Sequence, residues 1–261
     1  MTGFGRILTI ARNAFRESVR DRVLYNLVLF VLLLVAASIL VSQLSLAEES
    51  KFIIDLGLAA MLVFGALIAI FVGVGLVYKE IDKRTIYNLL SKPVYRHEFI
   101  LGKYLGLCLT LLINCGVMTA GTMLALIFVN HGATHILIDV LPAAYLIFLE
   151  LVLIIAVALL FSSFTTPLLS ALFSFAVYVI GHFSSDLKLA ATISGSAIVR
   201  GLLTFLYYLL PNLSNFGYIS EASRGQAVGF AIMARATIYA LIYIGILLSA
   251  AIVVFERRNF K

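Results

Sequence analysis

From Val23 to Ala47 the chain runs for 25 residues without a charge. Roughly 20 helical residues cross about 30 Å of hydrocarbon, so this run is long enough to span a membrane once, over residues 24–46. Five more apolar stretches follow at about 56–78, 100–129, 141–163, 168–185 and 236–255. Composition agrees: 62% of residues are hydrophobic, 12% are charged and mean hydropathy is +1.10, whereas soluble domains carry about 25% charged residues. The expected fold is an all-α integral membrane protein, one domain over residues 1–261 with six transmembrane helices. The basic flank, the first run and Ser45-Leu46-Ala47 also imitate a signal peptide. The run is longer than a usual signal core and the later spans need it for parity, which favours an uncleaved helix.

Before the first span, Phe4, Leu8, Ala11, Phe15 and Val19 recur at helical spacing, while Arg12, Arg16 and Arg20 repeat elsewhere on the wheel. This pattern predicts a basic amphipathic helix over residues 4–22. It would lie along the membrane surface with that apolar stripe toward lipid or a neighbouring helix. A solvated charged face is the blander alternative.

Glu48 to Asp55 reads as a short acidic turn. The second span carries Gly57, Gly65, Gly73 and Gly75, small residues that let helix backbones approach closely in lipid. Asn114, Thr119 and Thr122 lie inside the third span and Glu150 near the middle of the fourth. Cys108 and Cys115, seven apart, share a helix face and read as packing residues. SSFTTP at Ser162–Pro167 breaks the fourth span, with Thr165 and Thr166 expected to cap the next helix and Pro167 in its first turn. Ile198 to Leu210 is apolar but too short to cross. It is expected to be an interfacial or re-entrant helix, followed by a turn at Pro211–Asn215.

Six spans place both termini on one side. That side holds fourteen of the nineteen Lys and Arg residues: five in the N-terminal segment, six between spans two and three, and three in the tail. Lys51, Lys188, Arg200, Arg224 and Arg235 fall on the other. The positive-inside rule therefore puts the termini and the island Tyr78–Gly106 in the cytoplasm of a cell with its inner membrane crossed several times. The net charge of +6 then reflects loops drawn to anionic membrane lipids, and no nucleic-acid partner is expected.

Within the island, Ile81, Thr85, Ile86, Leu89 and Leu90 share one helical face. Glu80 and Asp82 suit the positive end of the helix dipole, and Pro93 stops the helix after Lys92. A helix over 80–91 follows, and a second begins near Tyr95, with Lys103 at headgroup level. No capping box is expected there, because Tyr95 rather than Ser or Thr stands three before Glu98. An ordinary topogenic loop and a docking surface for a cytoplasmic partner both fit this segment.

The whole layout, with KEIDKRTIYNLLSKPVYRHEFILGKYLG between spans two and three, resembles the permease subunits of type-2 ABC exporters, close to the group linked to copper-enzyme maturation. Glu80, Thr85, Leu89, Leu90, Pro93, Val94, Arg96, Glu98, Gly102 and Lys103 carry the resemblance, with a softer Pro211-Asn212-Leu213 and Phe216. Lys83-Arg84 stands where many members have Glu-Gly. The resemblance implies a coupling helix in which Glu80, Asp82, Lys83, Arg84, Thr85, Ile86, Leu89, Leu90 and Pro93 contact a separate ABC ATPase subunit. It also implies a second permease copy or a related permease, with room for an accessory extracytoplasmic protein. The chain itself is expected to be no enzyme and to hold no cofactor, with ATP and Mg on the partner. Its Gly102-Lys103 pair has His97 where a P-loop needs glycine.

An anionic Glu150 facing lipid would cost several kcal/mol, so this residue is expected to face a cavity, a helix interface or a proton. It and Asn114 are the candidates for a translocation route, and a packing role is the alternative. Arg200 and Arg235 are possible partners of Glu150. His182 reads as an interfacial polar tip, and His131 with His135 gives only a weak metal signal, so no metal site is assigned. A non-transporting membrane scaffold and an ion-coupled secondary transporter are the competing functions. The substrate is not written in the sequence.

Overall fold

The computed structural model describes residues 3–19, 29, 30, 33, 34, 36, 49–82, 95–129, 136–194, 196–226 and 228–257. These are almost all helical and include no strand. The elements are α1 (Gly3–Ser18), α2 (Glu49–Asp82), α3 (Arg96–Val129), α4 (Ile136–Ser162), α5 (Pro167–His182), α6 (Ser184–Ile193), α7 (Ala197–Leu209), a 3-10 turn (Leu213–Phe216), α8 (Ile219–Ser223) and α9 (Phe230–Arg257). Among the described residues, four stretches are long and apolar enough to cross a membrane: Ser50–Gly75, Arg96–Val129, Asp139–Ser162 and Phe230–Glu256. Two bent pairs bring the number to as many as six: α5 with α6, at 65°, and α7 with the segment Leu213–Ser223, at 48°. Most of the first apolar run lies outside the described residues, although Phe30 and Leu34 are buried in the core.

The acidic segment expected as a turn is helical from Glu49 onward. No glycine or proline interrupts residues 48–56, and acidic residues are favoured in a first turn, so nothing there stops the helix from starting early. At its other end α2 continues through Asp82, past the expected limit at Tyr78. Helix α4 also begins early, which leaves Pro142 inside it.

Helix α4 is the centre of the bundle, with every residue from Glu150 to Leu159 buried. A helix apolar all round is one that other helices surround, and α2, α3, α5 and α9 all pack on it. Small residues set the register. A β-carbon at Gly57 would meet the Thr122 side chain at 2.7 Å, and one at Gly65 would collide with Leu151. One at Gly73 would reach Ala158 at 3.2 Å, whereas Gly75 faces open space. The Thr119 hydroxyl reaches the Met61 sulfur at 3.5 Å, so rising residue numbers on α2 meet falling numbers on α3 and rising numbers on α4: α2 runs antiparallel to α3 and parallel to α4.

At the break after α4, Pro167 occupies the first turn of α5 as expected, but neither threonine caps the helix with its side chain. Thr166 stands at the N-cap without such a bond. The Thr165 hydroxyl instead donates to the Phe161 carbonyl at 2.9 Å and pairs with Ser170, tying α4 to α5. Helix α5 stops at His182 rather than continuing to 185. There a β-carbon on Gly181 would stand 2.7 Å from Leu213 and 2.9 Å from the Pro211 carbonyl oxygen, so the 3-10 turn fills the space beside the bend. The short helix expected after residue 198 is α7, and Pro211 follows its end.

Candidate functional site

Glu80 and Asp82 lie in the last turns of α2. Lys83, Arg84, Thr85, Ile86, Leu89, Leu90 and Pro93 fall outside the described residues, as do His131 and His135. What is described is the anchorage on which the island rests, at the start of α3.

Helix α1 lies directly against α3. Two glycines on α3 allow it: a β-carbon at Gly102 would stand 2.7 Å from Ile10, and one at Gly106 would stand 2.6 Å from both the Ala11 carbonyl oxygen and Ala14. With no side chain at these positions, backbones approach closely and dispersion contacts accumulate. Ala11, Ala14 and Ser18 are buried in this contact, whereas Phe4 is 75% exposed and Leu8 is also exposed. The packed face is thus turned about a quarter of the wheel from the stripe expected from the larger apolar side chains. Glycines on α3 select a small-residue face, which leaves Phe4 and Leu8 to the surroundings.

Two ion pairs flank the seam. Arg6 Nη2 is 2.9 Å from Glu98 Oε1, and Lys103 Nζ is 3.6 Å from Glu17 Oε2. Glu98 and Lys103 are each 2% exposed, so both side chains are held between helices. The other oxygen of Glu98 accepts from the Tyr95 backbone N–H at 3.1 Å. This is the reciprocal half of a capping box, formed without a Ser or Thr partner. The Arg6 guanidinium also lies 5.5 Å from the Tyr95 ring centroid. Arg96 donates to the carbonyls of Phe255 and Glu256 at 2.9 and 2.8 Å, satisfying acceptors that the end of α9 leaves unpaired, and Phe99 stacks on Phe255. One end of α3 therefore fastens both α1 and α9.

A second polar layer lies deep in the bundle. Glu150 on α4 is 1% exposed, and its Oε1 has no hydrogen-bond partner among the described residues. Its neighbour is His182, whose Nε2 is 3.5 Å away, not Arg200 or Arg235. Arg235 instead lines a cavity of about 330 Å³ with Asn215, Tyr218 and Tyr239. His182, expected as an interfacial tip, stands at the end of α5 with its side chain 29% exposed and reaches the buried Glu150. The helix register places Asn114 on α3 within about one turn of Glu150 in height, since Gly57 faces Thr122 and Gly65 faces Leu151. Both polar atoms of the Asn114 side chain are buried without a hydrogen bond among the described residues, as is the Ser184 hydroxyl at the start of α6. Such a layer is costly unless something polar visits it.

The profile of the ABC-2 family transporter protein matches residues 8–260. The chain belongs to the ABC-2 transporter family. No match among curated proteins was found. An ABC-2 family chain is a multi-pass membrane component of a transporter, and the family implies a separate ATP-binding subunit as its partner. In this ABC-2 family chain, Glu98, Gly102 and Lys103, three of the ten residues that carried the resemblance, contact α1, so that part of the signature is explained inside the molecule. Sequence reasoning missed Arg6, Glu17 and His182 as partners. Gly102 and Gly106 at helical spacing were the available signal for the first two; nothing local marks His182 as a partner of Glu150.

Proposed function

We propose that this chain is the transmembrane subunit of an ATP-driven exporter, in which a coupling helix over about residues 80–91 takes up motion from a separate nucleotide-binding subunit. Glu80, Asp82, Lys83 and Arg84 would supply its charged contacts. Thr85, Ile86, Leu89 and Leu90 would seat its apolar face, with Pro93 ending the element. ATP and Mg act on the partner. Two copies, or this chain with a related one, enclose the route, with Glu150 and Asn114 exposed to it during the cycle. The termini and the island face the cytoplasm, as the positive-inside rule indicates.

The observation that carries this reading is the cross-tied start of α3. Arg6–Glu98, Lys103–Glu17 and the Arg96 contacts to α9 join three helices in the last part of the island, just after the proposed coupling helix. A push on the island is then delivered to three elements together, because packed interfaces shift as units rather than deform continuously. The test is co-purification with the ATPase encoded beside it or captured with it, followed by ATP-driven activity in proteoliposomes. Charge reversal at Lys83 and Arg84, or a helix-breaking Leu89→Pro, is expected to abolish association and activity. Unchanged association and activity would overturn the reading.

A further inference from the structure

Beyond the end of α5, helices α6 and α7 pack on each other and line an open-sided cavity of about 370 Å³. Its polar lining is Lys188, Thr192, Arg200, Thr204, Tyr207 and Tyr208. The volume falls within the range of small-ligand sites, roughly 300–1,000 Å³. Lys188 Nζ lies 5.5 Å from the centroid of the Tyr207 ring. Neither Lys188 nor Arg200 has a carboxylate at ion-pair distance among the described residues. The nearest acidic residue in sequence, Asp186, stands two positions before Lys188 and hence about 200° around α6. Two cations thus share one cavity without a counter-ion, an arrangement that favours an anion.

The surroundings of the cavity indicate which anion. Helix α7 has no buried residue, and Ile198, Leu202, Phe205 and Leu209 form a bare apolar face opposite Arg200 and Thr204. Ile198 is 85% exposed. Leu189 and Ile193 are exposed on α6 beside the cavity. An apolar face on one side and cations with tyrosines on the other is the pattern of a helix at the boundary between acyl chains and headgroups. A soluble anion would make no use of these apolar surfaces.

We propose that the cavity between α6 and α7 binds the phosphate-bearing headgroup of an anionic phospholipid. Lys188 and Arg200 contact the phosphate, the Thr192 and Thr204 hydroxyls offer further polar contacts, and the acyl chains lie against Leu189 and Ile193. This site does not depend on ATP coupling and stands apart from the Glu150 layer.

The full chain, purified in detergent, would be examined by native mass spectrometry and thermal unfolding after separate addition of phosphatidylglycerol, phosphatidylcholine or inorganic phosphate. Phosphatidylglycerol is expected to stay bound and raise the midpoint, while the other two do neither. Lys188→Ala combined with Arg200→Ala is expected to lower phosphatidylglycerol retention about thirtyfold. Lys188→Arg is expected to preserve retention, as is Arg224→Ala, which removes an exposed cation outside the cavity lining. Equal retention of phosphatidylcholine, or undiminished retention by the double variant, would overturn the proposal. Displacement of the lipid by inorganic phosphate alone would overturn it in favour of a free-anion site. Should the double variant fail to fold, Lys188→Gln alone is expected to reduce retention about fivefold, and wild-type retention there would also overturn the proposal.

Discussion

Oε1 of Glu150 stands 3.5 Å from Nε2 of His182, at the point where α5 stops and the chain turns through 65° into α6. The carboxylate is on the central helix and the imidazole is on the last residue of a helix that does not continue straight. The contact therefore joins the most deeply buried helix to the sharper of the two bends among the described residues. Replacing a buried polar group with an apolar one of similar size is often neutral or stabilising. Glu150→Met is accordingly expected to leave the thermal midpoint unchanged or higher while lowering ATP-driven transport. His182→Ala alone is expected to cost about 1–3 kcal/mol, because it leaves the buried carboxylate without its neighbour. That cost should disappear in the Glu150→Met background, which a double-mutant cycle of thermal unfolding would show.

The seam between α1 and α3 makes two glycines behave oppositely. Gly106→Ala would drive a β-carbon to 2.6 Å from the Ala11 carbonyl oxygen, an atom that moves only if α1 does. A loss of about 1–3 kcal/mol is expected, together with faster proteolysis within α1. Gly116, on the same helix, has nothing within 4 Å of its virtual β-carbon. Gly116→Ala is expected to gain up to about 1 kcal/mol from helix propensity. Thermal unfolding of the two variants side by side checks both signs.

Glu98 has two partners, whereas removal of Arg6 takes away one of them. Glu98→Ala removes the buried member of the pair and deprives both the Arg6 guanidinium and the Tyr95 N–H, so it is expected to cost about 3–5 kcal/mol. Arg6→Ala leaves the Glu98 to Tyr95 bond in place and should cost less. Chemical denaturation in detergent micelles would rank them, and equal costs would mean that the backbone bond contributes nothing.

Arg96 reaches two carbonyls with one nitrogen of its guanidinium. Lysine carries its charge on a single, strongly hydrated ammonium group and reproduces that geometry poorly. Arg96→Lys is expected to speed hydrogen exchange in the last turn of α9, without changing exchange in its middle. Arg96→Ala should produce a larger increase in the same peptides.

Much of the architecture was readable because lipid leaves a helix little choice: the apolar stretches after residue 50 became α2, α3, α4, α5 and α9. The boundaries drifted where no residue acts as a stop, as at Glu49 and Asp82. The small-residue face of α1 that packs on α3 was not legible for a different reason. Periodicity weights Phe4 and Leu8 by size, but two glycines a hundred positions away decide which side is covered. The bend after His182 also depends on distant residues, since Leu213 and Pro211 occupy the space beside Gly181. The pairing of Glu150 with His182 joins separate helices and has no local periodicity. The helix expected within the island falls mostly outside the described residues, while its partner is a property of the family.

The seam between α1 and α3 also bears on the order in which the protein is made. Helix α1 leaves the ribosome long before Gly102 and Gly106 exist to receive it. During synthesis, Phe4 and Leu8 can engage lipid at once, whereas the small-residue face and the Arg6 and Glu17 side chains must wait for α3 to insert. The seam can therefore close only after the segment that carries Gly102 and Gly106 has been made, so α1 spends part of synthesis with its small-residue face uncovered.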